Sequence, residues 1–112
     1  LGPGKVQAGN YLTTGLWSQL AIKEAKKFCE PNEVATGVAS GFTTLSKPDE
    51  WKLRDDATFF HFCDNETVHG YEFNDFPWHK IPKGQRVVCD MSSNFCSRPI
   101  DWSHYDVVYV GA

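Results

Sequence analysis

Hydrophobic and polar residues alternate in several short segments of the chain, and one segment follows a helical period instead. Between Leu16 and Cys29 the apolar residues fall on one stripe and the lysines on the opposite face, which predicts a helix that Pro31 ends. Strands are predicted over residues 5–12, 33–45, 57–64, 68–73, 85–91 and 104–110. This order predicts an α+β fold, with one helix packed on a mostly antiparallel sheet of about five to six strands.

Two of the predicted strands carry information about their neighbours. Residues 33–45 alternate bulky with small side chains, so a helix is expected across the small face, with a ligand groove as the alternative. Residues 57–64 place Phe59, Phe60 and Phe62 on both faces, which predicts a central strand covered on two sides.

Length and composition favour one folded domain. The chain has 112 residues, of which 41% are hydrophobic and 14% aromatic, enough for a core. Residues 1–4 are interpreted as the remnant of a cleaved expression tag, and residues 5–112 as a single α+β domain. A net charge of −3 argues against nucleic-acid binding, and the sequence contains no apolar run long enough to span a membrane.

Four cysteines in a short chain are typical of two disulfides and an oxidising compartment. The preferred pairing joins Cys29 to Cys63 and Cys89 to Cys96, while a metal site or four reduced thiols are the alternatives. No metal site is predicted, because the cysteines lack the tight paired spacing of zinc ligands. A glycosylation sequon at Asn65-Glu66-Thr67 agrees with secretion after removal of a signal peptide.

The candidate catalytic chemistry rests on four histidines: His61, His69, His79 and His104. His61 stands within an aromatic strand, where a packed, hydrogen-bonded histidine is expected. His69 shares a short strand with Glu72, so a ribonuclease-like enzyme, active or inactive, is the second hypothesis for function. No nucleophile motif or nucleotide-binding glycine loop is found, so no catalytic residue and no cofactor is predicted.

Exposed aromatic residues supply the candidate binding site. Phe76, Trp78 and His79 lie in a loop that contains a proline, and aromatic side chains in such loops often anchor protein contacts. The alternative is that Trp78 folds back to cap the core. This loop is therefore predicted to contact a partner protein. The identity of the partner and the oligomeric state of this protein are left open.

The helix ending in Phe28-Cys29 and the aromatic strand ending in Phe62-Cys63 resemble small secreted effectors and killer-toxin-like proteins of fungi, and also small periplasmic lipoproteins of bacteria. The resemblance implies a secreted, disulfide-stabilised scaffold that recognises a host or target protein. The leading hypothesis is thus a microbial virulence effector or toxin-like binding protein and not an enzyme. The third hypothesis for function is a periplasmic structural or inhibitor protein.

Overall fold

The computed structural model describes residues 7–66, 71–73 and 75–111. Within these residues, one α-helix, α1, and seven strands make up the regular structure. Their bounds are β1 Ala8–Thr13, α1 Leu16–Ala25, β2 Glu30–Thr36, β3 Phe59–Cys63, β4 Asn65–Glu66, β5 Tyr71–Glu72, β6 Arg86–Asp90 and β7 Val107–Tyr109. Short 3₁₀ turns lie in the connections.

Five strands form one sheet in the order β2-β1-β3-β6-β7, and every neighbouring pair in it is parallel. The predicted antiparallel α+β fold is therefore wrong, and the architecture is a parallel-sheet α/β fold. Parallel neighbours need long crossovers, which are usually helices. Among the described residues, an α-helix occurs in the β1–β2 crossover alone, and residues 37–58 and 91–106 return the chain through loops with short 3₁₀ turns.

One face of the sheet is closed by these loops. Leu12, Phe60 and Phe62 point to this side and are inaccessible to solvent. Aromatic rings from the loops pack on them: the Phe76 ring stacks 4.1 Å from that of Phe62, and Trp51 stacks on Phe60 at 6.0 Å. We call this side the closed face, since Phe60 and Phe62 of the central strand bury their rings here beneath loop residues.

A polar cluster also lies within the closed face. The Asn10 side chain is fully buried and donates to the Arg54 carbonyl and to Gln85 Oε1, at 3.0 and 2.9 Å. Its own oxygen accepts hydrogen bonds from Asn32 and from the Arg54 amide. Because every hydrogen-bonding group of Asn10 is used, the cluster ties the 51–58 loop to β1 without leaving an unpaired buried amide.

The opposite side of the sheet carries Tyr11, His61, Cys63, Asp90 and Tyr109, and we call it the polar face. Strand register places Tyr11 beside His61, Cys63 beside Asp90 and Asp90 beside Tyr109, and directly paired residues of parallel strands share a face. Helix α1 packs against β1, β2 and β3.

Several boundaries differ from the sequence prediction. Helix α1 ends at Ala25 and not at Cys29, so Phe28 lies outside it with 81% of its surface exposed. The predicted strand 33–45 stops at Thr36, because a 3₁₀ turn at Val38–Ser40 follows, and positive φ angles at Gly41 and Phe42 then turn the chain further. Part of the predicted strands 5–12 and 68–73 lies outside the described residues.

All four cysteines lie within the described residues and are free thiols, so the predicted disulfides are wrong. Cys29 precedes β2 at the end of the sheet where β1 begins, whereas Cys63 closes β3 at the opposite end. A parallel crossover returns the chain to the starting edge of the sheet, which separates these two residues. Cys89 is buried in the closed face, while Cys96 is exposed.

Candidate functional site

The carboxyl ends of the parallel strands form the edge where a ligand site is expected. From β1 the chain proceeds to β2 on one side, and from β3 it proceeds to β6 and β7 on the other. This reversal of direction between β1 and β3 opens a crevice at the carboxyl edge, the position at which open α/β sheets bind their ligands.

The start of α1 borders this crevice, and a carboxylate of the chain itself occupies it. Glu66 is fully buried and accepts hydrogen bonds from the Trp17 and Ser18 amides at 3.0 and 2.9 Å. Helix starts attract anions because their first amides lack partners and the helix dipole is positive there. Glu66 satisfies these amides, so this helix start serves to hold the loop after β3.

The first acidic residue after β3 is also engaged internally. Asp64 Oδ2 lies 2.7 Å from an Arg98 guanidinium nitrogen and accepts a 2.6 Å hydrogen bond from Asn94 Nδ2. Arg98 additionally donates to the Phe73 carbonyl. Asp64 therefore anchors the loops that follow β5 and β6, and its charge is already balanced by Arg98.

Asp90, at the end of β6, is in a different situation. Its Oδ1 accepts from the Ser92 amide and hydroxyl at 2.9 and 2.6 Å, and the Cys63 thiol lies 3.9 Å from its Oδ2. Within the described residues, no lysine or arginine nitrogen lies within 4 Å of this half-buried carboxylate. Asp90 is thus held in place by Ser92 and has no lysine or arginine partner among the described residues.

Small polar groups frame Asp90 along the edge. Ser92 Oγ also accepts from the Gly111 amide at 2.9 Å, which joins the ends of β6 and β7. Asn65 Nδ2 donates to Ser93 Oγ, and that hydroxyl donates back to the Asn65 carbonyl. Three strand ends are thereby fixed relative to one another around the Asp90 carboxylate.

Behind Asp90 the polar face holds groups that stay neutral. Burial lowers the pKa of His61 to about 4, against a smaller opposing effect of Asp90, so the imidazole is uncharged at neutral pH. Burial, with the charges of Glu66 and Asp90, raises the pKa of the Cys63 thiol. Cys63 is therefore a protonated thiol and not a reactive thiolate.

The residues predicted to contact a partner lie mainly against the core. Phe76 is 8% exposed, and Trp78 is partly buried and stacks on His104 with ring centroids 4.3 Å apart. His79 is exposed. A contact of this loop with another protein stays a prediction. His69, part of the ribonuclease hypothesis, lies outside the described residues.

Comparison with known proteins identifies the family. The sequence model of the Aminotransferase class-V family matches residues 10–112. Phosphoserine aminotransferase 1, chloroplastic, of Arabidopsis thaliana is 44% identical over 103 residues, which are 92% of this chain and 23% of that protein. Phosphoserine aminotransferase of Drosophila melanogaster is 44% identical over 109 residues, covering 97% of this chain and 29% of that protein.

Solved structures agree with the sequence relatives. Phosphoserine aminotransferase from Bacillus circulans subsp. alkalophilus superposes with a TM-score of 0.85 at 37% identity, over 98% of this chain and 29% of that one. The PLP-bound phosphoserine aminotransferase of Trichomonas vaginalis gives 0.77 at 38% identity, over 93% of this chain and 29% of that one. The chain therefore spans less than a third of these proteins.

The chain belongs to the aminotransferase class-V family. This membership overturns the hypotheses of a secreted effector, a toxin-like protein and a non-enzymatic binder of host proteins, and the resemblance to fungal proteins with them. The alternatives of a ribonuclease-like enzyme and of a periplasmic structural or inhibitor protein are wrong for the same reason. The inferred secretion rested on disulfides, and the free thiols remove that basis. No helix within the described residues is long and apolar enough to cross a membrane.

Sequence reasoning missed the residues at the carboxyl edge because it gave them other roles. Asn65-Glu66-Thr67 matches a glycosylation sequon, whereas Glu66 is buried against α1. Asp90 and Ser92 lie between Cys89 and Cys96, the two residues of a predicted disulfide. Both segments directly follow an apolar strand, and that position was the available signal for residues at a parallel-sheet edge.

Proposed function

We propose that the complete protein carrying this chain is a PLP-dependent aminotransferase that acts on phosphoserine. The named relatives, of which the chain spans 23% to 29%, support the reaction and the substrate. For this chain, the observation that carries the proposal is the Asp90 carboxylate. Ser92 holds it at the carboxyl end of β6, and no lysine or arginine among the described residues pairs with it.

The chemistry of Asp90 fits one part of PLP. Enzymes that use PLP commonly place a carboxylate or an arginine against the ring nitrogen. An aspartate carboxylate can pair with the protonated nitrogen, and the two Ser92 hydrogen bonds to Oδ1 fix the orientation of the Asp90 side chain. Bound PLP supplies a ring that withdraws electrons from the substrate carbon during amino-group transfer.

The remaining edge residues serve to hold Asp90 in place. Ser92 fixes the carboxylate plane and links it to the Gly111 amide after β7. The hydrogen bonds between Asn65 and Ser93 fix the loops after β3 and β6 against each other. A carboxylate fixed in this way needs little rearrangement when a cationic ring is bound, which is how preorganised sites gain their strength.

The proposal is tested in the complete protein with added PLP. We expect a PLP absorbance band and transfer of the amino group of phosphoserine to an oxo-acid acceptor. Asp90→Asn removes the charge while keeping the shape, and we expect it to lower kcat by about 100-fold or more and to weaken PLP binding. The measurements are initial rates and a PLP titration of the apoenzyme.

Asp55→Asn is the matched control, because Asp55 is an exposed aspartate away from the carboxyl edge. It should retain the rate and the PLP affinity of the unmodified protein. The proposal would be contradicted if the complete protein neither bound PLP nor consumed phosphoserine. Full activity of the Asp90→Asn variant would remove the role given to Asp90.

A further inference from the structure

A hydrogen-bonded pair on the polar face lies directly behind Asp90. His61 is 5% exposed, and its Nε2 lies 2.8 Å from the Tyr109 hydroxyl. The two rings stack with centroids 6.0 Å apart and 29° between their planes. Tyr11 packs on the other side of the imidazole at 5.0 Å, so His61 is fixed in orientation between two phenol rings.

The surroundings of His61 indicate which of its nitrogens carries the proton. Nδ1 is buried and has no hydrogen-bond partner among the described residues. A neutral imidazole has one N–H donor and one bare acceptor nitrogen. Orphaned buried N–H donors are rarer in proteins than orphaned acceptors, so the proton belongs on Nε2. His61 Nε2–H then donates to the Tyr109 oxygen, which leaves the hydroxyl hydrogen free for another acceptor.

Asp90 is the acceptor in the correct position. Its Cα is paired with that of Tyr109 in the β6–β7 register, and both residues are on the polar face. Burial raises the pKa of the Tyr109 hydroxyl, and the charge and hydrogen bonding of Asp90 raise it further. Asp90 Oδ1 is already occupied by Ser92, so Oδ2 is the oxygen available to this hydroxyl.

We propose that His61 and Tyr109 are a positioning pair for Asp90, in which His61 Nε2–H donates to the Tyr109 oxygen and the Tyr109 hydroxyl donates to the Asp90 carboxylate. The role toward the cofactor rests on the proposed function, because Asp90 is the residue assigned to the PLP ring nitrogen. The pair fixes the rotamer of Asp90 from the side of the sheet opposite to the aromatic core. A hydrogen bond from the Tyr109 hydroxyl to a carboxylate is charge-assisted, and such hydrogen bonds are among the stronger ones.

The first experiment needs no cofactor. Side-chain ¹⁵N NMR of the complete apoprotein labelled on histidine reports which imidazole nitrogen is protonated, and the His61→Gln spectrum assigns the signals. We expect a neutral His61 with the proton on Nε2 at pH 7. A proton on Nδ1 would overturn the proposal, because the Tyr109 hydroxyl would then have to donate to His61 and not to Asp90.

The second experiment measures the coupling between Tyr109 and Asp90. In the complete protein we expect Tyr109→Phe to weaken PLP binding by about 10-fold, as expected for losing a hydrogen bond to a charged group. In an Asp90→Asn background the same change should weaken binding by less than about 2-fold, because the acceptor charge is gone. Tyr105→Phe is the control, since it removes a tyrosine hydroxyl elsewhere in the fold and should leave PLP affinity unchanged.

The outcomes separate this inference from the proposed function. An equal loss for Tyr109→Phe in both backgrounds would mean that the hydroxyl acts through packing alone, and it would overturn the coupling to Asp90. If the unmodified protein did not bind PLP, the proposed function and the cofactor role of the pair would both fail. In that case the histidine spectrum would still decide the direction of the hydrogen bonds.

Discussion

The two faces of the sheet differ in how their side chains are covered. On the closed face, Phe62 is inaccessible to solvent and its ring is surrounded by aromatic loop residues. On the polar face, Val107 and Tyr109 are 48% and 40% exposed, and an apolar groove of about 410 Å³ runs beside β3, β6 and β7. The closed face is thus a complete core, whereas the polar face is covered mainly where α1 packs.

The open polar face indicates where other parts of the complete protein pack. Parallel sheets are almost always covered on both faces. The chain spans 23% of the Arabidopsis relative and 29% of the Drosophila relative. We therefore expect another part of the complete protein to pack on the groove lined by Thr58, Phe59, Arg86, Val88 and Val107.

The largest effect is expected from truncation on the closed face. Phe62→Ala removes a fully buried ring that stacks on Phe76, and it should lower the free energy of unfolding by about 3–5 kcal/mol. Urea denaturation of the complete protein measures the change. A loss below about 1 kcal/mol would show that the loops do not form a tight core on this side.

A second effect concerns acid stability and depends on His61. Its pKa is about 4 in the folded protein and 6.5 in the unfolded chain, so between these values only the unfolded state binds the proton. Stability is therefore complete above pH 6.5 and decreases as the pH falls to 4, by about 3 kcal/mol for this group.

Unfolding measured at pH 7 and pH 4 tests this pH dependence. His61→Gln should remove this part of the acid loss, whereas His79→Gln, on an exposed histidine, should retain it. An unchanged pH dependence in His61→Gln would mean that His61 is accessible to protons in the folded state.

A charge placed in the groove tests whether the polar face is covered in the complete protein. Val107→Asp should lower the free energy of unfolding by about 2 kcal/mol, because a covered carboxylate loses its hydration. Val38→Asp is the matched control: its valine is 50% exposed on a 3₁₀ turn, compared with 48% for Val107. Equal tolerance of both substitutions would contradict the covering of this face.

The smallest effect is expected on the outer surface of α1. Glu24 and Lys27 form an ion pair at 2.8 Å with both side chains more than 60% exposed. Glu24→Ala should change the unfolding free energy by less than about 0.5 kcal/mol in thermal or urea denaturation. A larger loss would mean that this surface of the helix is also buried in the complete protein.

Local structure could be predicted better than topology. The helix start at Leu16 and the central strand with Phe60 and Phe62 follow from hydrophobic period and aromatic content, and the structure has both. The predicted strand direction is wrong, because one helix followed by several strands is also the element order of an antiparallel α+β fold. The aromatic residues on both faces of β3 were the contrary signal, since strands covered on two sides are typical of parallel sheets.

The candidate site was not predicted, for a physical reason. Asp90, Tyr109 and His61 are brought together by the register of three parallel strands, and no local spacing in the sequence encodes that register. The cysteines are misleading because an even number of thiols carries no information about strand direction. Once β1 and β3 are known to be parallel, Cys29 and Cys63 fall at opposite ends of the sheet.

The contact between Glu66 and the start of α1 has a consequence for the order of assembly during synthesis. The acceptor for the Trp17 and Ser18 amides comes 49 and 48 residues later in the chain. A nascent polypeptide that has exposed only β1, α1 and β2 therefore lacks the group that fixes its helix. That first unit can lock into its final position only after the third strand of the sheet has been translated.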